Sequence, residues 1–182
     1  FGTDKWGAHF YTPHYETHFR PFRRRPVRLL EIGAGGYESP TQGGNSLRMW
    51  KRYFPRGRIY AVDLYDKSAL EEPRIRIFRG SQVDPQLWER VFAEAPEFDL
   101  IVDDGSHRSD HIPETFRLLF PRLKTGGIYA VEDTQTSYWP VYGGDSLNLD
   151  NPATQMNFFK RLADGLNHRE FVQGRQTGVT PW

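Results

Sequence analysis

Apolar positions along the chain fall into five short runs separated by stretches of helical spacing. VRLLEI (27–32), YAVDLY (60–65), FDLIVDD (98–104) and GGIYAVED (126–133) read as strands. RIRIFRG (74–80) alternates apolar and basic side chains, as a strand near a sheet edge does. The middle runs are continuously apolar, the pattern of parallel strands covered on both faces. Asn45 and Ser46 are expected to cap a helix carrying Leu47, Trp50 and Phe54, which Pro55 ends. Asp84 and Pro85 open another, with Leu87, Val91 and Phe92 on one face. Pro113 opens a third, with Phe116, Leu119, Phe120 and Leu123 at helical spacing. Gly126 and Gly127 are expected to stop the chain before the fifth strand. A last helical pattern covers 153–166. It follows a loop, 134–150, that is too long for an idle connection and suits a lid or binding segment.

Strand–helix alternation of this kind predicts an α/β fold with a doubly wound, mostly parallel sheet. Ligands of such sheets sit outside the carboxyl ends of the strands. The length of 182 residues suits one domain, with 1–26 as a segment covering the cofactor and 27–182 as the core. Lys and Arg number 24 against 23 Asp and Glu, a balance that argues against a dedicated nucleic-acid binder. The basic cluster at Arg23, Arg24 and Arg25 reads as a solvated turn. The absence of cysteine excludes disulfides, thiolate metal sites and a thiol nucleophile, and fits a reducing cytoplasm. No apolar run approaches the ~20 residues that cross a bilayer.

Candidate chemistry lies just after the strands. Glu31, Gly33, Gly35 and Gly36 form EIGAGG at the end of the first. A dinucleotide fingerprint, G-x-G-x-x-G/A, would need a small residue where Glu38 stands, and that charge would face a pyrophosphate. A nicotinamide-dependent oxidoreductase is therefore disfavoured. The E-x-G-x-G motif of methyltransferases fits better, because S-adenosylmethionine carries a sulfonium and an ammonium and favours an acidic rim. An ordinary tight turn is the plainer alternative. Asp63 ends the second strand, where a carboxylate can accept both ribose hydroxyls, or cap a helix. Ser81 and Gln82 follow the third, in reach of an adenine edge, or as a polar cap before Asp84.

DDGSH (103–107) ends the fourth strand and Glu132–Asp133 the fifth. Neighbouring strands lie ~4.8 Å apart, so carboxylates at their tips can meet around one ion. With only hard donors available, Mg²⁺ or Mn²⁺ is favoured over zinc. His107, three residues beyond Asp104, can take a proton from an alcohol whose acidity a metal has raised. Helix and loop caps are the plainer readings of both motifs. His9, His14 and His18 lie in an aromatic segment where no third metal ligand is evident.

GTDKWGAHFYTPHYETHF, LEIGAGGY, GGNSLRMWKRYFPRGRIYAVDLYDKS, DDGSH and VEDTQTSYWPVYGG together resemble the macrolide sugar O-methyltransferases. The likeness runs from Gly2 to about Phe171. It implies a class I S-adenosylmethionine methyltransferase fold. The expected substrate is a glycosylated polyketide, methylated on a sugar hydroxyl by a cytoplasmic homo-oligomer. It implies Mg²⁺ ligation by Asp104, Glu132 and Asp133, with His107 as the general base. Cofactor contacts are implied for Thr3, for Glu31, Gly33, Gly35 and Tyr37, and for Ser46, Asp63, Ser81, Gln82 and Asp104. Tyr138 and Trp139 are implied on the substrate side. Members of the family carry a further N-terminal domain and end in an antiparallel strand pair. The tail VQGRQTGVTPW lacks strand alternation, so that pair is expected to be missing. A non-catalytic cofactor-binding or oligomer-forming module is the alternative.

Overall fold

The computed structural model describes residues 1–170 and 172. In chain order its elements are α1 (Thr12–Phe19), β1 (Arg28–Ile32), α2 (Asn45–Tyr53), β2 (Arg58–Asp63), β3 (Ile75–Arg79), α3 (Pro85–Glu94), β4 (Phe98–Asp103), α4 (His111–Leu119), β5 (Leu123–Val131) and α5 (Gln155–Gly165). Two compact units result. One holds residues 1–106 with 114–133, the other 107–113 with the chain from 134 onward.

The first unit contains a five-stranded parallel sheet in the order β3-β2-β1-β4-β5. The edge position of β3 explains its alternation of apolar and basic residues. Along the inner strands, successive side chains enter opposite faces. Leu29, Ile59, Ala61, Leu100 and Val102 join one core with Tyr15 and Phe19 of α1 and Leu47 and Trp50 of α2. Leu30, Ile32, Tyr60, Val62 and Ile101 join the other, with Leu87, Trp88 and Val91 of α3 and Leu119 of α4. Helices on both faces leave no solvated side, which is why the strands read as unbroken apolar runs.

Three local expectations are corrected. Neither Asn45 nor Ser46 caps α2; the cap is Gly44, at φ 68°, and Asn45 instead donates to the Gly2 carbonyl at 3.0 Å. The glycine pair lies inside β5 rather than before it. Phe98 faces Leu123 and Leu100 faces Ile128, so β5 bulges between them, with Gly126 at φ 77°. The helix expected from Pro113 begins at His111, and its buried positions are Ile112, Thr115 and Leu119. Phe116 and Phe120 stack on each other at 4.7 Å, Phe120 half exposed, and Leu123 already belongs to β5.

The second unit is ordered largely by polar side chains. Asp145 accepts from the backbone N–H groups of Leu147 and Asn148 and from the Asn151 amide, each at 2.9 Å. Thr154 caps α5 by accepting from Asn157 N–H at 3.4 Å. The buried Asn157 amide donates to the carbonyls of Leu149 and Asn151. The tail judged to lack terminal strands lies outside the described residues, apart from 172. Among the described residues no helix is long and apolar enough to cross a membrane.

Candidate active site

The strand order turns back at β1, which lies between β2 and β4. This is the switch point where open α/β sheets hold ligands. The turn after β1 needs glycine. A Cβ on Gly33, at φ 91°, would stand 2.2 Å from the Asp104 carbonyl oxygen, and one on Gly36 2.1 Å from that of Gln42. Asp63 ties this turn to β2, accepting from Ala34 N–H and Tyr65 N–H at 2.8 Å each. It caps no helix. Gly35 and Tyr37 lie in the same turn and are exposed, while Ser46 is buried in α2. Thr3 follows Gly2, whose carbonyl accepts from Asn45 at the start of α2.

Gln82 is buried, and its amide is already engaged. It donates to Thr115 Oγ1 at 2.9 Å and more weakly to Asp103 at 3.4 Å, and accepts from Ser106 N–H at 2.7 Å. Its side chain thus clamps the DDGSH turn rather than facing outward. Ser81 keeps a half-buried hydroxyl there.

Below these turns lies an acidic floor. Glu31 of β1, Asp104 after β4 and Glu132 after β5 converge on the ammonium of Lys5, which is 1% exposed. The Nζ distances are 3.2, 2.6 and 2.8 Å. Glu132 also accepts from Tyr15 Oη at 2.5 Å, and Asp133 from Tyr11 Oη at 2.7 Å. Burial pulls the Lys5 ammonium toward deprotonation, yet the three carboxylates outweigh it and hold its pKa well above the ordinary range. Burial pushes the Glu31 carboxyl up to about 7, against the pull of Lys5 and with Asp104 and Glu132 adding to the rise. Ser46 favours its charged form. Burial, then the charge of Asp104, likewise lift Glu132 to about 7. Asp103 is buried beneath the cluster, and its carboxyl is also raised, mainly by burial.

Three carboxylates thus gather on one ammonium, with Asp133 alongside facing His9 at 3.8 Å, and such a concentration of negative charge favours cations. Carboxylate oxygens of Asp104 and Asp133 lie within 4.8 Å of one another. The carboxylate donors are hard oxygens, which suits Mg²⁺ or Mn²⁺. Glu132 instead meets Asp104 on the Lys5 ammonium, with its Oε1 turned to Lys5 and Tyr15. Glu31, expected at the cofactor rim, is fully buried in this cluster.

His107 opens the second unit. Its carbonyl accepts from Thr136 Oγ1 at 2.9 Å and Gln155 Nε2 at 3.3 Å, and its ring meets that of Tyr142 edge-on. Tyr138 and Trp139 are exposed on the loop that follows β5 in the chain. Among the described residues, four other than glycine have positive φ: Tyr37, Arg74, His107 and Asp133. Three of them are residues picked from sequence for chemistry. Such strain of ~1–3 kcal/mol per residue gathers at functional sites.

Sequence reasoning gave no role to Lys5, Tyr11, Tyr15, Thr136 or Gln155. Each acts on a site residue from far along the chain. The one available signal was the placement of a lysine and two tyrosines in a segment already marked as unusual.

No protein-family model matches the chain. It is 51% identical over 170 residues to an 8-demethyl-8-α-L-rhamnosyl tetracenomycin-C 2′-O-methyltransferase of Streptomyces olivaceus, covering 93% of this chain and 44% of that protein. It is 46% identical over 169 residues to mycinamicin VI 2″-O-methyltransferase of Micromonospora griseorubida, covering 92% and 42%. The MycE methyltransferase of the mycinamycin biosynthetic pathway, solved in complex with Mg, SAH and mycinamycin VI, superposes with a TM-score of 0.89 at 46% identity. That match covers 92% of this chain and 44% of MycE. The chain spans about half the length of the curated relatives it matches. By sequence and by fold, the chain is similar over about nine tenths of its own length to these antibiotic sugar O-methyltransferases.

Proposed function

We propose that this chain carries the methyl-transfer site of an S-adenosylmethionine- and Mg²⁺-dependent O-methyltransferase acting on a sugar hydroxyl of a glycosylated polyketide. The carrying observation is the gathering of Glu31, Asp104 and Glu132, with Asp133 beside Asp104, at the switch-point end of the sheet. The acceptor class rests on the names of the relatives.

Asp104, Glu132 and Asp133 would hold the divalent ion, Mn²⁺ serving in place of Mg²⁺. When bound, such an ion lowers the pKa of a coordinated hydroxyl by several units. His107 receives the hydroxyl proton as general base. Asp63 accepts the ribose hydroxyls of the cofactor, and Gly33 and Gly35 let the backbone approach it closely. Thr3, Tyr37 and Ser81 complete that binding surface, with the buried Ser46 and Gln82 supporting it from behind. Asp104 and the buried Glu31 supply negative potential toward its sulfonium. Tyr138 and Trp139 offer aromatic surface to the acceptor, and residues 1–26 cover the cofactor. We further read the protein as a cytoplasmic homo-oligomer that binds neither nucleic acid nor membrane. The near-zero net charge supports the exclusion of nucleic acid, and exposed Val141, Leu147 and Leu166 support self-association.

The test is a mass-spectrometric screen of glycosylated macrolides and rhamnosylated polyketides for gain of one methyl group, with Mg²⁺ and with EDTA. Product that forms only with the ion supports the reading. Tight S-adenosylhomocysteine binding without product from any acceptor would favour a non-catalytic module instead. In His107→Ala, cofactor and ion binding should persist while turnover falls by roughly 10²–10⁴. Undiminished turnover removes His107 as base.

A further inference from the structure

Residues 1–11 are fastened to the acidic floor through their side chains. Lys5 reaches Asp104, Glu132 and Glu31, and Tyr11 donates to Asp133. Just beyond, Tyr15 of α1 donates to Glu132. The backbone of this segment turns around Lys5, whose carbonyl accepts from Tyr11 N–H and Thr12 N–H at 3.0 and 3.2 Å. Trp6 and Phe10, by contrast, are mostly exposed, and their rings meet only edge to face at 5.4 Å. Over residues 1–10 apolar burial therefore contributes little, and the buried ammonium anchors that stretch, while Tyr11 packs partly buried against the core.

That anchor draws on the same carboxylates that would bind a divalent ion. Two cations sharing Asp104 and Glu132 repel each other across a few ångströms and compete for the same oxygen lone pairs. Their binding is consequently coupled, and the coupling is reciprocal. We propose that Lys5 is a positioning residue, a built-in cation among the ion-binding carboxylates, and that it sets the docking of residues 1–11 against occupancy by a divalent ion. Without the ion, Lys5 keeps Asp104 and Glu132 gathered and the segment closed. When the ion is bound, the carboxylates are shared and the segment opens more readily to admit cofactor or acceptor. This rests on the ion-site reading above.

The sign of the coupling separates this role from simple structural support. A lysine that only props up the site would, when removed, weaken ion binding. A competing cation, when removed, strengthens it. Titration calorimetry of the full chain with Mn²⁺ alone is expected to show Lys5→Met binding roughly tenfold more tightly than wild type. Lys5→Arg, which keeps the charge, should stay near wild type. Hydrogen exchange supplies a second readout that needs no variant. The amides of Tyr11 and Thr12 in the wild-type chain should exchange faster when Mn²⁺ is saturating. Weaker Mn²⁺ binding by Lys5→Met, or unchanged or slower exchange at those amides, overturns the proposal while leaving the ion site standing. A wild-type chain that takes up no Mn²⁺ at all overturns the ion site, and this inference with it.

Discussion

Individual side chains at the switch point hold turns as much as they present chemistry. Gln82 looks from its place after β3 like a ligand-facing amide, yet its three polar contacts lock the DDGSH turn against β4 and α4. Gln82→Met keeps the volume but removes the side-chain bonds to Ser106 N–H and Thr115 Oγ1. A loss of about 1–3 kcal/mol in urea unfolding is expected, with weaker S-adenosylhomocysteine binding measured in parallel. Stability equal to wild type would mean that water replaces the amide without loss. Gly33 is constrained twice, by a positive φ and by the Asp104 carbonyl. Gly33→Ala must move that carbonyl and, with it, a candidate ion ligand. Calorimetry should register weakened binding of both S-adenosylhomocysteine and Mn²⁺; retention of both at wild-type affinity contradicts the geometry.

Among the elements, the sheet core and α5 are stabilised by different means. Trp88 of α3 is buried against the sheet and donates its indole N–H to the Gln82 carbonyl at 2.8 Å. Trp88→Ala removes the largest fully buried side chain together with a hydrogen bond. It should cost about 3–5 kcal/mol, read as a fall in the denaturation midpoint. α5 depends instead on its Thr154 cap and on Asn157. Thr154→Ala should cost about 1 kcal/mol, and hydrogen exchange should localise the effect to the first turn of α5. Broad loosening of the sheet in that variant would show the cap to have a wider role. The misread boundaries have a common origin. A glycine pair can end a helix or relieve a strand, and only pairing with β4 makes it a bulge. Phe116 and Phe120 kept helical spacing, but they satisfy each other near the surface while Thr115 and Leu119 are buried.

For the whole molecule, the decisive feature is where one strand order brings charge. β1, β4 and β5 lie side by side with their carboxyl ends aligned, so three carboxylates distant in sequence meet at one place. Treatment with EDTA should abolish methylation, with recovery on adding Mg²⁺ or Mn²⁺, while S-adenosylhomocysteine binding survives. Turnover that withstands the chelator removes the ion from the reading of the cluster. The relatives are about twice as long as this chain, so acceptor choice and assembly are properties to be measured rather than carried over from them.

The amino-acid order alone determined the five strands, their parallel arrangement and the acidic residues at their ends. Apolar runs, glycine turns and carboxylates after strands are local patterns, and each residue's neighbours in sequence suffice to read them. Tertiary structure alone decided that Glu31 is buried in the acidic floor, that Gln82 faces inward, and that Lys5, Tyr11 and Tyr15 engage the same carboxylates. Those outcomes depend on contacts between segments as far as 127 residues apart, Lys5 and Glu132 being the widest. Electrostatic energy follows distance in space, about which spacing along the chain is silent.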